Sequence, residues 1–284
     1  MRRGLIFLLV HLALRAAPAL AGDFDTKHIF GFTEGTDINA PDEREAEFVT
    51  TAHVLKRGGG RYRAVEQQAT AEGALTQALG YELTVHGAAV DARGVTGLDA
   101  LRRVEFSGLS AEPKFVVLAR ETAPFGLAFS IEPEWSRIDA TSGRRAQGFS
   151  AGMRLMADAA LGERLYAGAN LIYEPEWRRE AGAPLAKGAL FGATGGLTWR
   201  FADRLALGGE VEGYAATESL GLAAPVGTAV YVGPTFFVRL ASNLFCAGAW
   251  SVQVAGRPAA GRLDDYNGAE FSRHKARLTV SVAF

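Results

Sequence analysis

The chain has 284 residues, of which 48% are hydrophobic, and its formal net charge is −1. This balance excludes a strongly basic nucleic-acid-binding surface, and the single cysteine, Cys246, excludes an internal disulfide. No run of about 20 apolar residues follows residue 21, so no transmembrane helix is predicted. The apolar residues must therefore follow another pattern.

The first 21 residues have the composition of an export signal. Arg2 and Arg3 precede the apolar run LIFLLVHLAL, and Ala19-Leu20-Ala21 forms a small-residue cleavage site before Gly22. Removing residues 1–21 also removes Arg15, which makes the remaining chain more negative.

Residues 22–44 precede the predicted barrel, and the polar and acidic stretch FTEGTDINAPDERE at 32–45 covers most of their second half. Two placements of this segment remain open. It is either a loose periplasmic leader or a plug that folds into the lumen of a barrel formed by residues 45–284.

From residue 45 onward, apolar and polar residues alternate, which is typical of strands because successive side chains point to opposite faces. In GLAFSIEPEW, for example, Leu127, Phe129 and Ile131 share one face. Most of the predicted strands reach the roughly 9–11 residues needed to cross a membrane. About twelve are predicted, near 45–55, 60–73, 78–91, 105–119, 124–138, 147–159, 164–177, 186–200, 204–216, 227–240, 242–255 and 272–284.

The predicted connections alternate between short and long, apart from the tight first turn at Gly58-Gly59-Gly60. The short ones lie near 74–77, 120–123, 160–163, 201–203 and 241. Short turns on one side and long loops on the other are typical of transmembrane barrels. The predicted fold is therefore all-β, an antiparallel transmembrane β-barrel in the bacterial outer membrane.

The C-terminal sequence RLTVSVAF resembles the insertion signal of bacterial outer-membrane barrels, which implies that Phe284 directs assembly by the barrel-assembly machinery. The chain also resembles the barrels grouped under the meta-pathway of phenol degradation, in PDEREAEF, in FSGLSAEPKF and in its hairpin lengths. This second resemblance implies a role in transport.

The segment EPEW occurs at 132–135 and again at 174–177. Alternation predicts that its glutamates face the lumen and that Trp135 and Trp177 face lipid near the membrane interface, with Trp199 near the other interface. A shared interface role or hairpin-repeat ancestry is favoured over a catalytic carboxylate pair. Outer-membrane lipid and lipopolysaccharide are the expected surroundings.

Charged residues with lumen-facing parity form the candidate site: Glu132, Glu134, Arg154, Glu174, Glu176, Glu210, Glu212, Arg273, Lys275 and Arg277. Parity places Arg154 between Glu132 and Glu174. Two interpretations remain open. The charges form an internal salt-bridge network that packs the barrel, or an acidic wall faces a basic wall across a constriction that polarises a passing solute.

The leading functional prediction is a channel for passive passage of small solutes. The alternative is a sealed structural or surface-binding barrel, and an outer-membrane lipid enzyme comes third, because no serine motif has a committed His and acid partner. No catalytic residue, metal site or cofactor is predicted, and nucleic acid is not an expected partner.

Overall fold

A computed structural model describes residues 26–56, 60–258 and 270–284. The proposed export signal at residues 1–21 lies outside these ranges, as do Gly58 and Gly59 of the predicted first turn. Within them, no helix is long and apolar enough to cross a membrane.

Twelve strands form one closed antiparallel barrel, which confirms the predicted fold class. Each strand pairs with its neighbours in the chain, and β1 closes the barrel by pairing with β12. The strands are β1 Arg44–Val54, β2 Arg61–Thr76, β3 Leu79–Arg93, β4 Leu101–Leu118, β5 Gly126–Ile138, β6 Arg145–Ala160, β7 Leu165–Glu180, β8 Ala186–Ala202, β9 Leu205–Thr217, β10 Pro225–Arg239, β11 Leu244–Pro258 and β12 His274–Ala283.

Both ends of the barrel sequence meet at one end of the barrel, as an even strand number requires. The backbone N–H of Phe284 donates to the carbonyl of Arg44 at 2.8 Å, and the N–H of Arg44 donates to the carbonyl of Phe284 at 3.2 Å. We call this the terminal end, and the other the opposite end. Connections at the terminal end span 77–78, 119–125, 161–164, 203–204 and 240–243.

The connection at 119–125 is longer than the predicted turn at 120–123, and several strands extend further into the long loops than expected. The sorting of loops by length is therefore weaker than predicted. The reason is that strand pairing continues beyond the alternating segments, as in β4, which begins at Leu101 rather than 105.

The outer surface of the barrel is apolar around its circumference. Leu83, Leu109, Leu171, Val211 and Leu278 are exposed on successive parts of the wall. Such a continuous apolar band suits contact with lipid.

Two buried apolar clusters lie inside the wall instead. One contains Ile29 and Phe30 from the segment before β1, packed on inward-facing residues near the terminal end such as Tyr166 and Phe237. The other joins Tyr62 and Val90 to Val95 of the β3–β4 loop at the opposite end. Both clusters show that non-strand segments enter the lumen.

Candidate functional site

Residues 26–39 lie inside the barrel, and we call them the N-terminal plug. Ile29 has 0% of its surface exposed, and Thr26, Thr33 and Thr36 are also buried. Lys27 and Asn39, near the two ends of the segment, both contact Glu45 at the start of β1. The plug is thus a loop that enters and leaves the lumen at the terminal end.

Asp158 of β6 holds the base of the plug. Its carboxylate accepts hydrogen bonds from the Thr26 hydroxyl at 2.6 Å and from the backbone N–H of Thr36 at 2.6 Å. Arg120 lies 3.3 Å from Asp158 and 2.5 Å from Asp37 of the plug. Lys114 donates to the plug carbonyls of Gly35 and Asp37 at 2.8 and 3.0 Å.

Glu210 of β9 holds the tip of the plug. Its carboxylate accepts the backbone N–H groups of Gly31, Phe32 and Thr33 at 2.9, 2.7 and 2.8 Å. Glycine is required at position 31, because a Cβ there would lie 2.3 Å from the Cβ of Ala249 and 2.7 Å from a carboxylate oxygen of Glu210. Three N–H donors converging on one carboxylate form a strong, charge-assisted clamp.

The aromatic tip of the plug, Phe32, lies between cations of β12. The Lys275 ammonium is 4.0 Å and the Arg277 guanidinium 4.6 Å from the centre of its ring. Lys275 also donates to Glu212 at 2.5 Å. Tyr214 donates to the same carboxylate at 2.8 Å. On this wall, the charged groups are matched with one another and with the plug.

Arg154 does not bridge Glu132 and Glu174, contrary to the expectation from parity. It forms an ion pair with Glu34 of the plug instead. Burial by itself raises the pKa of Glu34, but the charges of Arg154, Lys114 and Arg277 outweigh this effect and lower it. The interpretation from sequence lacked this partner because it lies more than a hundred residues away in the chain.

The two EPEW copies are aligned across the wall. Ser150 of β6 pairs in register with Glu134 on one side and Glu176 on the other. By the same registers, Gly152 lies between Glu132 and Glu174. The 42-residue repeat therefore places equivalent carboxylates at equal height on β5 and β7, with only Ser150 and Gly152 between them.

Toward the opposite end, two cavities lie beyond the plug. One, of about 280 Å³, is lined by Glu66, Glu134, Glu174, Glu176 and Asp139, among others. The second, of about 320 Å³, is lined mainly by aromatic and basic groups, together with Glu66 and Glu270; the aromatic and basic groups include Phe32, Lys56, Tyr62, Tyr214, Tyr231, Lys275 and Arg277. Burial lowers the pKa of Lys56 to about 8.

The β5–β6 loop folds over the lumen between these cavities. Ala140 and Thr141 line both of them. The loop is fixed by the Tyr62 hydroxyl, which donates to the Thr141 carbonyl at 2.9 Å, and by an ion pair between Asp139 and Arg178. An acidic side and a basic, aromatic side thus exist at the opposite end of the lumen.

Other predicted residues occupy the rims and the outer face. Arg273 precedes β12 rather than lying within it, because strand pairing begins at His274. Trp135 and Trp199 are 46% and 55% exposed, while Trp177 is partly covered and packs 6.1 Å from Phe149. Trp250, which sequence reasoning did not single out, is exposed on the same face.

Sequence reasoning missed the glutamates that face the plug from β2 and β3. Glu72 and Glu82 pair directly across a hairpin whose turn is 77–78. The predicted turn at 74–77 has a different centre, so this pairing was hidden. Within the described ranges, no group of three or more His, Cys, Asp or Glu residues is arranged to hold a metal ion.

Solved structures with the same architecture identify the class of fold. The COG4313 outer membrane channel from Pseudomonas putida F1 has 12% identity and a TM-score of 0.56, covering 90% of this chain and 99% of that one. The translocator domain of autotransporter NalP from Neisseria meningitidis has 13% identity and a TM-score of 0.53, covering 98% and 96%. The NanC porin has 8% identity and a TM-score of 0.51, covering 84% and 98%. The fold is that of outer-membrane β-barrels.

Residues 23–284 match the model of DUF6662, a family of unknown function, and the chain belongs to this family. No curated protein matches the chain significantly. The resemblance to the meta-pathway of phenol degradation barrels stays a prediction.

Proposed function

We propose that this protein is an outer-membrane channel for the passive passage of small solutes, and that the N-terminal plug closes it. The observation that carries this proposal is that a separate chain segment fills the middle of the lumen. Its polar contacts with the wall are hydrogen bonds and ion pairs made through side chains such as Asp158, Glu210 and Arg154. Contacts of this kind can be released without breaking the strand pairing that closes the barrel.

The cavities on either side of the plug support the same proposal. The basic, aromatic cavity reaches Phe32, and a third cavity of about 140 Å³ lies beside Lys27, Gly31 and Glu34. Withdrawal of the plug toward the terminal end joins these spaces into one path. If the terminal end faces the periplasm, the plug opens inward.

A reversible tether tests the proposal. An ideal Cβ at Gly168 lies 3.2 Å from Cγ2 of Thr33, which brings the two positions within reach of a disulfide. It also lies 2.8 Å from Cε2 of Phe30, so the Phe30 ring must shift in every Gly168→Cys variant, including the control. In a Cys246→Ser background, Thr33→Cys/Gly168→Cys is expected to lose single-channel conductance on oxidation and to recover it on reduction. The matched control is Thr33→Ser/Gly168→Cys, which forms no tether. Conductance that is unaffected by the oxidised tether contradicts gating by the plug. Absence of conductance in every variant favours the sealed barrel.

Membrane insertion has its own test. Leu171 is 60% exposed on the apolar outer face, so Leu171→Arg is expected to cost about 2–4 kcal/mol at mid-membrane depth.

Deleting Phe284, which is exposed at the terminal end, is expected to leave exported protein unassembled in the periplasm. A deletion variant that still forms a heat-modifiable barrel contradicts the role of Phe284 as an assembly signal.

A further inference from the structure

A row of glutamates crosses the wall from β1 to β7 in one continuous register, and we call it the glutamate row. Glu45 pairs with Glu72, Glu72 with Glu82, and Glu82 with Glu112. Glu112 lies level with Glu132, because the flanking pairs are Ser110 with Glu134 and Lys114 with Ser130. The row then passes Gly152, which adds no side chain, and reaches Glu174.

The row climbs along the lumen. Glu45 follows the first residue of β1 at the terminal end, whereas Glu174 lies past the middle of β7, which starts at that same end. Its lower members face the plug, and Glu174 lines the outer acidic cavity. Neighbouring strands along the row are about 4.8 Å apart, and Glu132 and Glu174 are separated by one further strand, β6. The row therefore connects the two sides of the plug.

Structural stability does not account for the row. Like charges directly opposite one another on neighbouring strands are destabilising, and a buried charge without a partner is costly. The ion pairs of the described residues include Glu45 and Glu72, but none joins Glu82, Glu112 or Glu132 to a cation.

The plug itself places cations on the bottom of the row. The Lys27 ammonium forms ion pairs with Glu72 and with Glu45, the latter at 3.2 Å, and donates to Asn39 at 2.9 Å. His28 lies 3.2 Å from both Glu45 and Glu47. Burial alone lowers the pKa of His28, but its close contacts with these carboxylates raise it to about 10, which favours the cation at neutral pH.

Beside Lys27, the row continues into an enclosed space. The cavity of about 140 Å³ is lined by Glu82, Glu112 and Glu132 of the row, and also by the cations Lys27, Lys114, Arg154 and Arg277. Lys114 and Arg154 are bound to the plug. Glu112 is only 7% exposed, and its Oε1 has no hydrogen-bond partner among the described residues. A buried carboxylate oxygen that faces a cavity and lacks a donor is a position for a ligand's N–H group.

We propose that the glutamate row selects aliphatic ammonium compounds, and that Lys27 occupies in the closed state the position such a solute takes during passage. The inference rests on the proposed channel function. The carboxylates form an extended line rather than a convergent shell, which suits a flexible chain with separated ammonium groups better than a single ion that needs six or more oxygen ligands.

Liposome swelling with the full chain tests this assignment. The probes are 1,4-diaminobutane, its neutral analogue 1,4-butanediol and the dianion succinate, which have similar lengths. We expect the diamine to enter roughly tenfold or more faster than the diol, because a cleft lined by one sign of charge raises the local concentration of counter-ions, and we expect succinate to enter slowest. In Glu82→Gln/Glu112→Gln, the diamine is expected to enter no faster than the diol does in the same variant.

The matched control is Glu163→Gln/Glu218→Gln, which removes the same charge from exposed turns and is expected to keep the diamine preference. Equal rates for all probes in the conducting wild type overturn the ammonium assignment and leave the channel intact. A diamine preference that survives in the folded Glu82→Gln/Glu112→Gln variant removes the row as its cause. If this variant does not fold, the ratio of the diamine and succinate entry rates in the wild type tests the ammonium assignment by itself. If no probe enters, even through a variant with a loosened plug such as Gly31→Ala, both the channel and the role of the row are contradicted.

Discussion

Glutamates on the two sides of the lumen occupy opposite electrostatic settings. On β9, Glu210 accepts three backbone N–H groups and Glu212 pairs with Lys275. On β3 and β4, Glu82 and Glu112 face each other directly. The difference shows that one residue type serves two purposes. Under the proposed function, matched glutamates hold the closed state together, and unmatched ones line the path of the solute at an energetic cost.

The largest expected effect comes from the matched wall. Glu212 is 0% exposed, so Glu212→Gln leaves Lys275 in a buried site without its counter-charge. Urea unfolding in lipid vesicles should show a loss of about 3–5 kcal/mol in the free energy of unfolding. Adding Lys275→Met should restore much of it, because no isolated charge then remains. A Glu212→Gln variant that is as stable as the wild type shows that the ion pair between Glu212 and Lys275 does not stabilise the fold.

The second-largest effect is expected at the tip of the plug, where Glu210 holds the backbone. In Gly31→Ala, the added methyl group collides with Ala249 and Glu210. The docked plug should lose about 1–3 kcal/mol, the usual cost of overpacking, and the open probability in bilayer recordings should rise accordingly. Gly221→Ala is the control, since no atom lies within 4 Å of its added Cβ. Equal open probabilities for the two variants contradict the clamp.

A smaller effect of opposite sign is expected on the unmatched wall. Glu82→Gln removes one charge from between Glu72 and Glu112. The free energy of unfolding should stay unchanged or rise by up to about 1 kcal/mol, because like charges directly opposite are destabilising. The same urea titration measures it. A loss similar to that of Glu212→Gln means that Glu82 stabilises the fold and that the two walls do not differ.

The smallest effect concerns pH. His28 has its pKa raised to about 10 in the docked plug, so its contribution to docking is complete below about 6.5, its ordinary value, and declines as the pH rises toward 10. Its charged neighbours are Lys27, Glu45 and Glu47. Open probability should therefore increase between pH 7 and pH 9, and less so in His28→Gln. Identical pH dependence in both proteins assigns the effect to another group.

The barrel itself was predictable from sequence because alternation is a local signal. The inward side of Glu132 and Glu174 followed from parity alone, and the register confirms the alignment of their repeats. The contacts of the plug were not predictable. The pairing of Arg154 with Glu34 and of Glu210 with the tip of the plug depends on how a segment without periodicity folds into the lumen. The Glu72–Glu82 pairing needed the exact centre of one turn.

The reversal potential of the open channel in a potassium chloride gradient tests the central claim most directly. The wild-type channel is expected to pass potassium in preference to chloride. Glu132→Gln/Glu174→Gln is expected to reduce this preference, since charges in a confined lumen act on passing ions more strongly than charges in bulk water. The control Glu163→Gln/Glu218→Gln should retain it. A folded, conducting Glu132→Gln/Glu174→Gln variant with the wild-type reversal potential contradicts the placement of the glutamate row in the solute path.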